Sequence, residues 1–308
     1  MTLVLSVHNR DTMWVVVDRR LSYGRGRRPV DDAVKVMSLE TTDGVGLLAY
    51  AGLGATSNGT QPSEWMSAVL RGHGGLGFEQ ALGVLATAAT KELPRHLVRM
   101  PGGAHSIMVP AFVRGIGSRL YTIDNRVDSK AGIHSYRYTS YQRTAGPTST
   151  SARLGLAGTG GLYLMQNRAL WQGRLLGLVK AQDRAKISPY IVADELARLN
   201  YEAHERVRDG TVGPRCIVVW RRRRDASSPG SGGAHQFYSG PDREPDSGTI
   251  PMIDHGKNVS GIATLVMKCF QDQISDAAFS FDSGLHVDPD EMNRLLGELP
   301  SDPDERLR

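Results

Sequence analysis

Threonine at position 2, directly after Met1, is the residue of this 308-residue chain with the most chemistry within reach. A small second residue permits loss of the initiator methionine, and the chain would then start with both a hydroxyl nucleophile and its base. The free α-amino group has an ordinary pKa of ~7.7–8.0 and lies close to its own hydroxyl. Threonine at position 2 is common where no such chemistry exists, so three further features decide its weight. Lys35 stands between Val34 and Val36 in the expected strand AVKVMSL (33–39). Its ammonium is expected to be partly desolvated, which lowers a lysine pKa and suits it to activating a hydroxyl, although a lone lysine there more often snorkels to solvent. Asp18 ends the run VVVD and can hold that ammonium; unaided it reads as a strand-end turn residue. Ala51-Gly52-Leu53-Gly54-Ala55-Thr56 is a glycine turn between a strand and a helix. Its backbone N–H groups can face a developing oxyanion, or can merely make a tight connection.

These residues need elements to position them. Short β-branched runs at 3–8 and 13–17, separated by Asn9-Arg10-Asp11-Thr12, predict a hairpin, and 33–39 with 45–51 around Thr41-Thr42-Asp43-Gly44 predict a second. The period then turns helical, from Pro62 to about Arg71 and from Phe78 to about Val98, with Pro94 as a kink or an end. Strands are expected at 106–113, 118–123 and 131–144. Leu162 to about Lys180 reads as one helix, Ser188-Pro189 opens another that runs to about Val207, and 215–220 (RCIVVW) reads as a closing strand. This order predicts an α+β fold over residues 1–220, a four-layer αββα sandwich, with no internal repeat to mark its symmetry. Residues 221–233 (RRRRDASSPGSGG) have linker composition. Residues 234–308 read as a C-terminal extension, with an edge strand at 234–238, one helix at 259–275 and a flexible acidic tail at 287–308.

Composition narrows the class. With 40% hydrophobic and 22% charged residues and 35 glycines, the chain is globular and sheet-rich, not disordered, collagen-like or coiled-coil. Cys216 and Cys269 form no disulfide framework, and neither they nor the nine histidines show metal-ligand spacing, so no metal or cofactor is expected. No apolar run approaches the ~18 residues that span a bilayer, and MTLVLSVHNRD has no leader pattern; the expectation is a soluble, cytoplasmic protein without a membrane partner. A net charge of +5 permits nucleic-acid binding, but the basic residues are spread out except for Arg221 to Arg224. That run reads as a solvated strand exit, so nucleic acid is disfavoured as a partner. The glycines of 155–161 (GLAGTGG) precede no Gly-Lys-Ser/Thr and fit no G-x-G-x-x-G, which disfavours a nucleotide site.

Thr2, Asp18, Lys35 and Gly52, in that order, give the chain a resemblance to the proteasome β-subunit family of N-terminal nucleophile hydrolases, which includes bacterial proteasome-like threonine peptidases. The resemblance covers about residues 2–220. The 16-residue step from Thr2 to Asp18 is similar to the family's own, while Lys35 falls one residue later and Gly52 three later relative to the lysine. The resemblance implies that Thr2 is the nucleophile, that Asp18 and Lys35 neighbour it, and that the Gly52 N–H serves an oxyanion hole. It further implies a threonine-type endopeptidase acting on peptides or unfolded protein inside a ring or helical homo-oligomer; the need for an ATP-dependent unfoldase stays open. Downstream, Gly158-Thr159-Gly160 resembles the family's Gly-Ser-Gly, with Thr159 in the serine's place. Asp209-Gly210-Thr211-Val212-Gly213 resembles its Asp-x-x-Ser-Gly turn. Asp209 matches, but Val212 occupies the serine's place, so a hydroxyl is missing there unless Thr211 substitutes through a shifted turn. That departure supports the competing expectation, a non-catalytic structural subunit.

Overall fold

Strands that are apolar at successive positions need cover on both faces. Strands β1 (Val4–His8) and β2 (Thr12–Asp18) have it, because every residue in both is buried. The computed structural model describes residues 2–21, 29–52, 61–94, 105–128, 133–141, 152–223, 233–240, 245–246 and 248–260. Two sheets organise them. The first places β1 and β2 between β8 (Arg153–Ala157) on one side and β9 (Cys216–Arg222), β10 (Gly233–Tyr238) and β11 (Pro245–Asp246) on the other. The second runs from β13 (Lys257–Asn258) and β12 (Met252–Asp254) through β3 (Val36–Glu40), β4 (Gly44–Ala51), β5 (Ser106–Val113) and β6 (Gly117–Asp128) to β7 (Ile133–Tyr141). Neighbouring strands are antiparallel except β12, which lies parallel to β3.

The period-2 alternation of side chains sorts three cores. Val4, Met13, Val15 and Val17 meet Leu47, Ala49, Met108 and Phe112 between the sheets. The opposite face of the first sheet, with Leu5, Trp14 and Val16, packs on three helices: α3 (Gly158–Gln166), α4 (Arg168–Asp183) and α5 (Pro189–Arg206). The outer face of the second sheet, with Met37, Leu48 and Tyr50, packs on α1 (Pro62–Leu70) and α2 (Phe78–Glu92). The result is an α+β fold of four layers, αββα. Local signals set the helix starts: Pro62 and Pro189 occupy first-turn positions, and Ser188 caps α5 by accepting from the Tyr190 N–H at 3.3 Å.

Several boundaries differ from the sequence reading. β8 was not expected, because Gly155 dilutes its apolar signal; it pairs with β1, and a Cβ on Gly155 would lie 2.6 Å from Ser6 Oγ. The single helix expected over 162–180 begins instead at Gly158 and is two helices, divided at Asn167, whose side-chain amide closes the first by donating to the Tyr163 carbonyl at 2.8 Å. α2 ends at Glu92, ahead of Pro94, and β6 extends to Asp128. Arg221 is not a solvated strand exit. It lies in β9, is buried, and places Nη2 2.8 Å from Glu40 Oε2 across the two sheets. β10 is not an edge, since β11 pairs with it, and residues 252–258 extend the second sheet beyond β3. Residues 224–232 and, from 261 onward, the expected 259–275 helix and the acidic tail lie outside the described residues.

Candidate active site

Asp18 stands at the last position of β2, opposite Cys216 of β9, where the chain leaves the sheet. Its carboxylate is fully buried and accepts from five donors. Oδ1 takes the Leu3 N–H at 2.9 Å, Lys35 Nζ at 3.1 Å and the Thr2 hydroxyl. Oδ2 takes the backbone N–H groups of Arg20 and Gly213, each at 3.1 Å. Five donors compensate the desolvation of a carboxylate that a single partner would not.

Lys35 is not inside a strand ladder as expected; β3 begins at Val36. It is placed nonetheless, because its carbonyl accepts from the Tyr50 N–H at 2.8 Å and the Val34 N–H donates to Gln61 Oε1, at the start of α1, at 2.6 Å. The side chain does not snorkel: Lys35 is 2% exposed, and Nζ donates to Thr2 Oγ1 at 2.8 Å. Burial lowers the lysine pKa, partly offset by Asp18 and Asp31, while Arg20 lowers it further. Thr2, fully buried, therefore has its hydroxyl oxygen between an ammonium and a carboxylate. The ammonium lowers the cost of an alkoxide at that oxygen, and the carboxylate holds the ammonium in place.

The β8–α3 junction packs against Thr2 from another side. Gly158 has φ +78°, and a Cβ there would lie 2.0 Å from the Thr2 carbonyl oxygen, which accepts from the Gly160 N–H at 3.3 Å. Thr159 does not stand alone. Its Oγ1 is 2.6 Å from Thr211 Oγ1, which donates to Asp209 Oδ1 at 2.6 Å. Asp209 also accepts from the Thr211 N–H at 2.9 Å, an Asx turn at the surface. Val212 turns the other way and is buried in the core under α3, α4 and α5. The hydroxyl facing Thr159 thus comes from Thr211, one residue before Val212. Gly52 follows β4 directly with φ +155°; residues 53–60, over which the sequence predicts the rest of the glycine turn, lie outside the described residues.

Sequence reasoning did not select Arg20 or Asp31, and it named Gly213 only as the end of the 209–213 turn, without its N–H contact to Asp18. Arg20 follows Asp18 by two residues, but nothing in the pattern pairs it with Asp31 or brings either to the 209–213 turn. Among the described residues no group of three or more His, Cys, Asp or Glu is placed to hold a metal ion. No helix among them is long and apolar enough to cross a membrane.

No family model and no curated protein sequence matches the chain. Among solved structures it is similar to the Anbu (Gly-1) mutant from Hyphomicrobium sp. strain MC1, at 12% identity and a TM-score of 0.46, covering 91% of this chain and 100% of that one. The helical assembly of the Anbu complex from Pseudomonas aeruginosa matches at 15% identity and a TM-score of 0.44, over 76% of this chain and 86% of that one. Eukaryotic HslV from Trypanosoma brucei matches at 16% identity and a TM-score of 0.34, over 71% and 98%. Likeness at this level says nothing about individual residues or activity. The αββα layering rests on this chain's own sheets, cores and helices.

Proposed function

We propose that Thr2, once it heads the mature chain, is the nucleophile of a threonine-type endopeptidase, and that the chain is a subunit of a proteasome-like assembly in the cytoplasm. The observation that carries this reading is the placement of Thr2 Oγ1 2.8 Å from Lys35 Nζ, with Asp18 bonded to both. In the reaction, Thr2 Oγ attacks the scissile carbonyl of a peptide or unfolded protein while its proton passes to the Thr2 α-amino group, directly or through a water. Lys35 stabilises the alkoxide and the Gly52 N–H the oxyanion. Collapse breaks the C–N bond, the leaving amine takes the proton from the Thr2 ammonium, and water then hydrolyses the ester with the same amine as base. Thr159, between the two glycines that meet the Thr2 carbonyl, and its partners Thr211 and Asp209 are assigned the orientation of that amine. Exposed Leu162 and Met165 on α3 and Leu170 on α4 support association with further subunits, in a ring or a helix.

Thr2 is fully buried in the chain that still carries Met1, so loss of Met1 precedes any access of substrate to the hydroxyl. The second reading is a non-catalytic structural subunit, in which Met1 stays in place and Thr2 stays covered. The test treats the purified protein with a peptide electrophile specific for N-terminal threonine and locates the adduct by peptide mass spectrometry. An adduct on Thr2 that disappears in Lys35→Ala is the expected result. A free Thr2 that stays unmodified by a panel of such electrophiles transfers the assignment to the structural subunit.

A further inference from the structure

The 209–213 turn forms one wall of the site, yet its tip is exposed, with Gly210 at φ +64°. A surface tip of this kind holds a fixed position only when something ties it down. From the helix side, Asn200 Nδ2 donates to the Gly213 carbonyl at 3.1 Å, and His204 Nδ1 is 2.8 Å from the Val212 carbonyl. From the sheet side the tie is Arg20. Its Nε and Nη2 donate to the two oxygens of Asp31, both at 2.7 Å, and its Nη1 reaches the Gly210 carbonyl at 2.8 Å. A two-residue bridge, Leu21 with Val30, brings Arg20 and Asp31 together. The turn is seated on this pair with no spare room: a Cβ on Gly213 would lie 2.7 Å from Asp31 Oδ1 and 2.8 Å from Arg20 Cβ.

We propose that Arg20 is a positioning residue whose guanidinium, bridging Asp31 and the Gly210 carbonyl, holds the 209–213 turn so that the Gly213 N–H meets Asp18 and the Thr211 hydroxyl meets Thr159. Three of the five guanidinium donors work in one plane, which an ammonium cannot reproduce. The bridge itself stands on the geometry; its effect on turnover rests on the reading of Thr2 as the nucleophile.

The test compares the full-length protein with Arg20→Gln, Arg20→Lys and Asp31→Asn by amide hydrogen exchange and by hydrolysis of a fluorogenic peptide. Exchange of peptides covering 207–215 is expected to rise about tenfold or more in Arg20→Gln and Arg20→Lys, with 189–206 unchanged. The kcat is expected to fall by roughly 10- to 100-fold at little change in KM, since the turn positions groups and leaves substrate binding alone. Asp31→Asn, which keeps the guanidinium, moves both readouts in the same direction by less, and stands in should Arg20→Gln fail to fold. Unchanged exchange in Arg20→Gln overturns the proposal. Full rescue by Arg20→Lys also overturns it, by reducing Arg20 to a point charge. A wild type without turnover sinks the peptidase reading, while the exchange data still decide the bridge.

Discussion

Asp18 is the residue on which the site turns, because its two oxygens join three parts of the chain: the N-terminal strand, Lys35 and the 209–213 turn. Replacing it by asparagine leaves a buried ammonium without its counter-charge. Asp18→Asn is therefore expected to cost about 3–5 kcal/mol in a urea titration at neutral pH, well beyond an exposed ion pair. Thr2→Ala is expected to abolish peptide hydrolysis at a melting temperature close to that of the wild type; retained turnover would place the nucleophile elsewhere. The adjacent pair Thr211 and Val212 gives a sharper contrast. Thr211→Val keeps the shape and removes the hydroxyl 2.6 Å from Thr159, so the cost is expected in kcat. Val212→Ser places a hydroxyl in an apolar core, so the cost is expected in stability, about 1–3 kcal/mol, with no gain in rate. The reverse pattern would show that Val212 faces the site. Thr2, Asp18 and Lys35 could be picked out in the sequence by their types, their order and their places in expected strands taken together. Arg20 and Asp31 could not, because a surface ion pair and a clamp on an active-site wall look the same until the chain is folded.

At the scale of elements, the β8–α3 junction limits what the sequence can vary. In Gly158→Ala, a Cβ would strike the Thr2 carbonyl at a φ only glycine adopts freely, so that variant is expected to lose electrophile labelling of Thr2 even where circular dichroism is unchanged. His8 in β1 provides a pH-dependent counterpart. It is buried, neither ring nitrogen has a hydrogen-bond partner among the described residues, and Arg153 lies opposite on β8. Burial first, and then Arg153, push its pKa down to about 3 from 6.5. The unfolded chain therefore binds the proton first: the stability associated with neutral His8 is complete above pH 6.5 and is lost as pH falls toward 3. His8→Gln is expected to flatten the fall in melting temperature across that window, and an unchanged slope would assign the acid sensitivity to other groups. β1 to β4 and α5 were legible because period, turn residues and caps agreed. β8 was hidden because its five residues carry a glycine, and its place beside β1 is decided by a pairing some 150 residues away in sequence.

For the whole molecule, Glu40 and Arg221 tie one sheet to the other at the level where β12 joins β3. Glu40→Ala removes a carboxylate partner of a buried guanidinium, while Asp254 still acts on it. It is expected to lower stability by about 1.5–3 kcal/mol, with the loss measured by chemical denaturation, whereas Arg222→Ala, at an exposed position next along the chain, is expected to change it by less than about 0.5 kcal/mol. If the exposed apolar side chains of α3 and α4 are covered in an assembly, Leu170→Asp shifts the mass measured by light scattering toward the monomer. Residues 233–258 belong to this scale as well, since they add strands to both sheets.

What the sequence determined by itself was what short-range physics can encode: residue types fit for an N-terminal nucleophile, the continuous apolar runs that call for cover on both faces of β1 and β2, and the turns and caps that end elements. These depend on neighbours a few positions apart, so they survive reading in one dimension. The tertiary structure decided what depends on distant segments meeting. It set Lys35 just outside β3 yet against Thr2, turned Thr211 instead of Val212 toward Thr159, buried Arg221 on Glu40, and placed Arg20 across the 209–213 turn. The physical reason is common to all four. Buried polar groups must find partners, and which partners are in range is fixed only when the two sheets and their helices close on one another.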